Sequence, residues 1–524
     1  MKTIFTLILF IFLFNTANSQ TCEWIRGHET NYEMNPDMLR YNVCTAPDGA
    51  VWHGGMKSLV EFYNEAMGNL FLAQFDGNGN LLQEYEITGS AILRGMVTDS
   101  EGNLYVTGET LNTLHFWDGS QLNYNNNFIE GFLLKVSPSG TIAWAVNLSS
   151  FFTNAVPEDL TVYQDHVYLA HSEWSESNIT EFDVNGNLVR SIQQMDVPLA
   201  TGVALDQEGN IYACGSCSDT QGVFGGVPFP TTLSYSMYLV KYNQLGFPQW
   251  VKFAEDITCT KSKVTVDKIG RIVWSGPLLT EAIFDTLTLL GPSWGSDFFV
   301  TAFNAEGQVQ WGFEVPQGLT GNANLGKFKP ICVLPDNSIS IAGSTRGVVD
   351  WGNGVVTSTE EFSNQSLLLN LSSEAQPDWA KTGLADQYSQ VVGIDGDDDG
   401  NLYIAGICHG TILFDTCSYT GISYFYPFLA KFNTGLSTGV TLFSQEDRFT
   451  VYPNPAKNQL KIESDLSGQI LISLCTLNGQ EVFGKSGNGR LITIDVSSFP
   501  SGIYMLKLVS NSSVSVKKIF ISQG

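Results

Sequence analysis

A chain of 524 residues is too long for one ordinary hydrophobic core, so at least two domains are expected. Its apolar fraction of 43% is that of globular protein, but only 15% of residues are charged and 51 are glycine, a composition of strands and turns. The net charge of −26 argues against nucleic-acid phosphates and anionic lipid as partners.

In chain order, the first segment is an export signal. Lys2 supplies a positive start, Ile4 to Phe14 form a short apolar run, and small residues follow at Ala17 and Ser19. This pattern predicts a secretory signal peptide over 1–19, cleaved after Ser19. Eleven apolar residues fall short of the roughly 20 that span a bilayer, which weighs against a retained anchor. An oxidising compartment follows, and with it the meaning of nine cysteines outside the signal. The odd number leaves one thiol unpaired or paired between chains. Cys408 and Cys417, in one loop, are the candidate disulfide. Cys214 and Cys217 form a C-x-x-C without the βαβ context of a redox site, and no second pair is spaced for zinc.

The body is built on two alternating phrases. One is "DSEGNLYVTG" (99–108), repeated as "DQEGNIYACG" (206–215), "DKIGRIVWSG" (267–276) and "DDDGNLYIAG" (397–406), with weaker copies at 46–55, 163–172 and 334–343. The other is "FLLKVSPSGTIAW" (132–144), repeated at 238–250, 299–311 and 367–379, with weaker copies at 71–83, 178–190 and 428–440. Apolar and polar residues alternate about turns rich in Asp, Asn and Gly, so each phrase reads as a β-hairpin. The centre of the second phrase moves from Phe75 through Val136, Phe182, Tyr242, Phe303 and Leu371 to Phe432, in steps of 61, 46, 60, 61, 68 and 61 residues. Two hairpins per unit make four strands, and seven units predict a seven-bladed β-propeller. A tandem β-sandwich array is the competing arrangement.

These phrases resemble the SBBP-type β-propeller repeat, D-x-x-G-N-x-Y-x-x-G followed by F-x-x-K-x-x-x-x-G-x-x-x-W, over roughly residues 40–443. The copy at 160–193 departs most, lacking the tyrosine–glycine spacing and the tryptophan. The last copy also lacks its tryptophan, while "TCEWIRG" (21–27) carries one with no hairpin partner. The N-terminal stretch is therefore expected to add the outer strand of the final blade.

Between the hairpins run variable excursions, such as 109–130, 220–236 and 409–427, rich in aromatic residues, Asn and Gly. Loops of this kind on a rigid scaffold suit binding of glycan or protein; the alternative is small extra hairpins packed on their own blades. Asp395, Asp397 and Asp399 alternate before Gly400, as a calcium loop would arrange them, although no acidic residue occupies the twelfth position. The same residues are also the seventh copy of the D-x-x-G-N turn. "SPSGTIAW" (137–144) is similar to a sialidase box but lacks its aspartate. No G-x-S-x-G, H-E-x-x-H or P-loop occurs, and no pair of carboxylates stands out as catalytic.

The charge sign reverses near "YPNP". Residues 448–524 hold 8 basic and 4 acidic residues, a net +4, whereas 20–447 hold 17 basic and 48 acidic, a net −31. The domains read as a signal over 1–19, a propeller over 20–443, a linker over 444–448 and a small β-sandwich over 449–524. The last resembles the type A C-terminal sorting domain of the type IX secretion system of Bacteroidota. The resemblance rests on Tyr452, Pro453, Asn454 and Pro455, the "LNGQEV" hairpin with Gly479, the strand begun by Gly502 and Tyr504, and the terminal Lys517 and Lys518. It implies export through the type IX translocon, removal of the module by a sortase, and release or attachment to surface lipopolysaccharide. The expected function is a secreted or surface propeller that binds extracellular glycan or protein. The alternative is a hydrolase or lyase acting on polysaccharide.

Overall fold

In the computed structural model the described residues are 20–28, 30, 40–62, 66–124, 128–255, 261–292, 297–316, 321–435, 449–464, 469–476, 481–488, 491–510 and 513–522. The expected signal, the linker and Gly479 lie outside them. Contacts divide the chain into two units, 1–438 and 439–524. No helix among the described residues is long and apolar enough to cross a membrane.

The larger unit grows from its turns. In "DSEGN", Gly102 takes φ of 80°, a conformation that favours glycine, and the backbone reverses between two strands. Asp99 holds the turn closed: Oδ1 accepts from the amides of Glu101 and Asn103, and Oδ2 accepts from the Asn103 side chain and the Tyr105 hydroxyl. Asp206 and Asp397 make the same four bonds in their own copies.

Seven four-stranded antiparallel blades result. The first comprises Tyr41–Thr45, Val51–Phe62, Ala66–Phe75 and the start of Leu81–Thr98. That long strand continues as the inner strand of the second blade, with Leu104–Thr110, Glu130–Val136 and Ile142–Asn147. The third holds Val156–Tyr163, His166–Ser172, Glu176–Phe182 and Leu188–Met195; the fourth Leu199–Leu205, Ile211–Cys217, Ser236–Tyr242 and Pro248–Glu255. The fifth holds Lys263–Val266, Ile272–Leu278, Asp297–Phe303 and Val309–Glu314. In the sixth, the inner strand is split into Asn322–Leu325 and Ile331–Val333, beside Ile339–Arg346, Gln365–Leu371 and Pro377–Ala385. The seventh holds Tyr388–Gly396, Asn401–His409 and Tyr426–Asn433, and its outer strand is Thr21–Gly27 from the N-terminus, as expected. Inner strands pack against one another around the ring, and the seventh blade's inner strand meets that of the first.

The core lies between blades. Leu104 and Val106 face one neighbour and Tyr105 the other, so both sides of a central strand are buried. The tryptophan of the second phrase joins consecutive blades. Trp144 donates its indole N–H to the Val184 carbonyl of the next blade's turn, and Trp250 does the same to Ala305. Trp24 supplies the equivalent bond from the closing strand to the Gly77 carbonyl of the first blade, 3.1 Å away. The glycine of each receiving turn leaves room for the ring: a Cβ on Gly79 would stand 2.7 Å from Trp24. In the degenerate third blade Ile192 packs on Gly246 in place of a tryptophan, and the turn is shortened to Gln164 and Asp165, both at positive φ.

The smaller unit is a two-sheet β-sandwich. One sheet orders Phe449–Tyr452, Gln459–Ser464 and Leu491–Asp495. The other orders Glu481–Asn488, Gln469–Thr476, Gly502–Ser510 and Ser513–Ile521. Leu460, Ile462, Leu474, Ile494, Leu506 and Ile519 fill the space between them.

Candidate functional site

The consensus residues of the repeat are consumed by architecture. Besides the turn aspartates, Lys135, Lys241 and Lys431 place their ammonium groups 5.0, 5.5 and 5.8 Å from the rings of Tyr105, Tyr212 and Tyr403. Function must therefore reside in residues outside the repeat.

The three aspartates of the expected calcium loop are directed to different tasks. Asp397 is the turn organiser described above. Asp395 accepts from Lys329 Nζ at 2.6 Å and from the Thr45 amide and hydroxyl at 2.8 and 3.0 Å, tying the sixth, seventh and first blades. Asp399 is exposed. Among the described residues no group of three or more His, Cys, Asp or Glu side chains is placed to hold a metal ion. The three carboxylates of the expected calcium loop therefore do not converge: Asp395 is engaged by Lys329 and Thr45, Asp397 by its own turn, and Asp399 faces solvent. Cys408 and Cys417 are not bonded to each other in this structure. Both are free thiols, and Cys408 is buried beneath Tyr426 with its Sγ directed to the His409 carbonyl. Cys214 and Cys217, three apart on one strand, face opposite sides of the fourth blade.

The excursions form the small extra hairpins that were one of the two expectations. They pack on the outer strands of their own blades, and three also pair with the preceding blade. His115 pairs with Thr88 of the first blade, Phe224 with Gln194 of the third, and Ile412 with Ala385 of the sixth. Some large apolar side chains are exposed on the hairpins themselves, and others in the segments returning from the hairpins to the third strands. Phe128, Tyr235, Phe362, Ile422 and Tyr424 stand there, with Trp174 in the corresponding short turn of the third blade. Phe362 and Ile422 are 94% and 91% exposed. Antiparallel order puts the start of every third strand at the same end of its blade as the start of the inner strand, so these side chains share one rim. Tyr388, which opens the seventh inner strand, accordingly touches Phe425, and Phe425 and His409 pack on Tyr424.

The same end of the inner strands carries a charged cluster around the axis. A cavity of about 180 Å³ is lined by Asn42, Arg94, Asp159, Lys263, Phe328 and Lys329, among others. Lys261 meets Glu158 at 2.6 Å, Lys263 stands 3.8 Å from Asp159, and Arg94 pairs with Glu109. The Arg40 guanidinium lies 4.7 Å from the Phe328 ring. Burial alone would raise the Glu158 carboxyl, but Lys261 and Arg94 hold it below the usual glutamate range. Desolvation pushes Asp159 up, against the pull of Lys263. Sequence reasoning missed this cluster; its only trace is that scarce cations recur near the starts of inner strands.

In the smaller unit two distant motifs meet. Asn454 donates from Nδ2 to the Lys518 carbonyl at 3.1 Å and accepts the Phe520 amide at 2.8 Å, so "YPNP" caps the edge of the last strand. Pro453 and Pro455, which cannot donate ladder bonds, flank it on the exposed side. The Tyr452 hydroxyl reaches Glu463, and the Lys518 ammonium lies 5.1 Å from the Phe520 ring. Lys517 is half-buried. Gly502 opens the strand of Tyr504, whose hydroxyl donates to the Pro500 carbonyl.

Residues 450–522 match the secretion system C-terminal sorting domain. No curated protein matches the chain. Among solved structures, a protein of unknown function from Bacteroides caccae is 12% identical, covering 54% of this chain and 84% of its own, with a TM-score of 0.31. A nidogen/laminin complex chain is 12% identical over 52% and 79%, TM-score 0.29. The Pan2 WD40 domain of Neurospora crassa is 11% identical over 62% and 91%, TM-score 0.29. The sorting domain marks the chain for the type IX secretion machinery, which delivers it to the cell surface or the extracellular space.

Proposed function

We propose that the propeller is a binding or adhesion module for an extracellular glycan or protein. A signal peptide over 1–19 takes the chain across the inner membrane. The sorting domain is read by the translocon and removed by a sortase, and the body is released or joined to surface lipopolysaccharide. The body is an SBBP-type repeat protein in this reading.

The observation that carries the proposal is the row of exposed apolar and aromatic side chains on one rim, Trp174, Phe362, Ile422 and Tyr424 among them. Such side chains cost solubility and contribute nothing to the core; at a contact they bury against sugar faces or a protein surface. The rim is tested by screening the secreted protein against glycans and matrix proteins. Trp174→Ser and Phe362→Ser should weaken capture of any hit at least tenfold while leaving the melting temperature unchanged. Capture that is indifferent to both substitutions overturns the reading.

The acidic and basic side chains converging on the axis favour a second reading, an extracellular hydrolase or lyase, with Asp159 as the acid. Turnover of a polysaccharide that is lost in Asp159→Asn would establish it.

A further inference from the structure

The ring is closed by one strand, Thr21–Gly27, held in the seventh blade by its ladder to Tyr426–Asn433. Over that strand lies the excursion hairpin of the same blade, Thr411–Phe414 and Cys417–Thr420. The fit is close: a Cβ on Gly27 would stand 2.0 Å from the Tyr419 ring. Asp415, at the hairpin turn, accepts the Cys22 amide at 3.4 Å and the Lys381 ammonium at 2.9 Å. Cys417 Sγ approaches the Cys22 carbonyl to 3.0 Å, while Cys22 Sγ is directed to the Trp24 carbonyl at 3.7 Å. Two cysteines 395 positions apart thus come into contact where the closing strand meets the last blade.

We propose that Cys22 and Cys417 are oxidised to a disulfide in the exported protein, a covalent latch over the strand that closes the propeller. The oxidant is a disulfide donor, either an oxidised dithiol protein or glutathione disulfide. One cysteine thiolate attacks the donor disulfide, forming a mixed disulfide and releasing one donor thiol. The second thiolate attacks the mixed bond and releases the other donor sulfur, so two electrons and two protons pass to the donor.

Timing follows from access. In the closed ring burial pushes the Cys22 thiol far above its ordinary range, and only thiolate reacts. Oxidation therefore accompanies ring closure, and the finished bond resists reduction. The latch also explains the fate of Cys408, which faces Tyr426 under the same hairpin and takes no part.

The test uses full-length protein collected from the medium, alkylated without reduction, digested and analysed by mass spectrometry. A linked peptide joining Cys22 to Cys417 is expected. Alkylation of both cysteines as free thiols, or a Cys408–Cys417 link, overturns the proposal. Cys22→Ser, Cys417→Ser and the double variant should all melt about 5 °C lower than wild type, the size that closing a loop of this length implies. Wild type unfolded and refolded in dithiothreitol should melt with them; a double variant that melts with the oxidised wild type also overturns the latch. Should the variants fail to accumulate, the linked peptide in wild type decides alone.

Discussion

Trp24→Ala isolates what holds the ring shut. Trp24 is 7% exposed, donates to the Gly77 carbonyl, stacks over the glycine turn of the first blade and lies 6.1 Å from Tyr403. Gly77 O keeps a second donor, Lys431 Nζ at 3.2 Å, so the substitution leaves no orphaned carbonyl. The loss is then mainly packing, about 3–5 kcal/mol for a buried Trp cut to Ala, with the indole hydrogen bond worth about 1 kcal/mol of it. A propeller of roughly 415 residues unfolds with an entropy near ~0.9 kcal/mol/K, so the melting temperature should fall by about 4–5 °C. Calorimetry of the full chain reads this in the larger unit's transition. Trp24→Phe, which keeps most of the packing but not the N–H, should lose about a third as much. Trp174→Ala, at an 85% exposed position, should change stability by less than about 0.5 kcal/mol. A drop below 1 °C for Trp24→Ala, or an equal drop for Trp174→Ala, would refute the account of ring closure.

Removing residues 20–30 deletes the outer strand altogether and should lower the melting temperature further than Trp24→Ala does; an unchanged value sinks the pairing. Asp99→Ala removes four accepted bonds and strands the buried Tyr105 hydroxyl beside Lys135, a cost of about 2–4 kcal/mol in urea denaturation. The equivalent change at Asp76, which is only partly buried, should cost clearly less. His53 and His171 are buried, and burial lowers each to about 3 from the usual ~6.5. The unfolded chain therefore binds more protons than the fold between those values, and stability falls as pH drops through that window, by up to about 1.4 kcal/mol per pH unit for each histidine. Denaturation midpoints from pH 7 to 4 should flatten in His53→Phe; an unaltered slope excludes His53 as a source. Deleting 449–524 should retain the protein in the periplasm, read by fractionation, and normal release without it would contradict the role of the sorting domain.

The blades were legible because their determinants are local. The Asp99 carboxylate finds its partners within six residues, so a four-strand unit with glycine turns can be read from one repeat. Even the closing strand was legible, since Trp24 stands where the last repeat lacks its tryptophan. The sorting module was readable from its motif, although only the structure shows Asn454 clamped to the strand of Lys518. The partners of Asp395 in the expected calcium loop were not legible, because Lys329 and Thr45 come from other blades. Proximity of two cysteines in one loop says nothing of direction: Cys408 points into its blade, while Cys417 meets Cys22 of the closing strand.

Periodic turn chemistry thus specifies seven similar blades, and a basic C-terminal sandwich with its motifs specifies the route of export. Neither depends on distant contacts, because each hairpin is stabilised within itself and each module is recognised as a unit. The axial cluster and the rim arise only when the ring closes. Glu158 and Lys261 are 103 positions apart, Asp395 and Thr45 are 350, and none belongs to a repeating pattern. Their encounter is a consequence of seven inner strands converging on one axis. Surfaces assembled that way leave no periodic signature, since each blade contributes a different side chain to them.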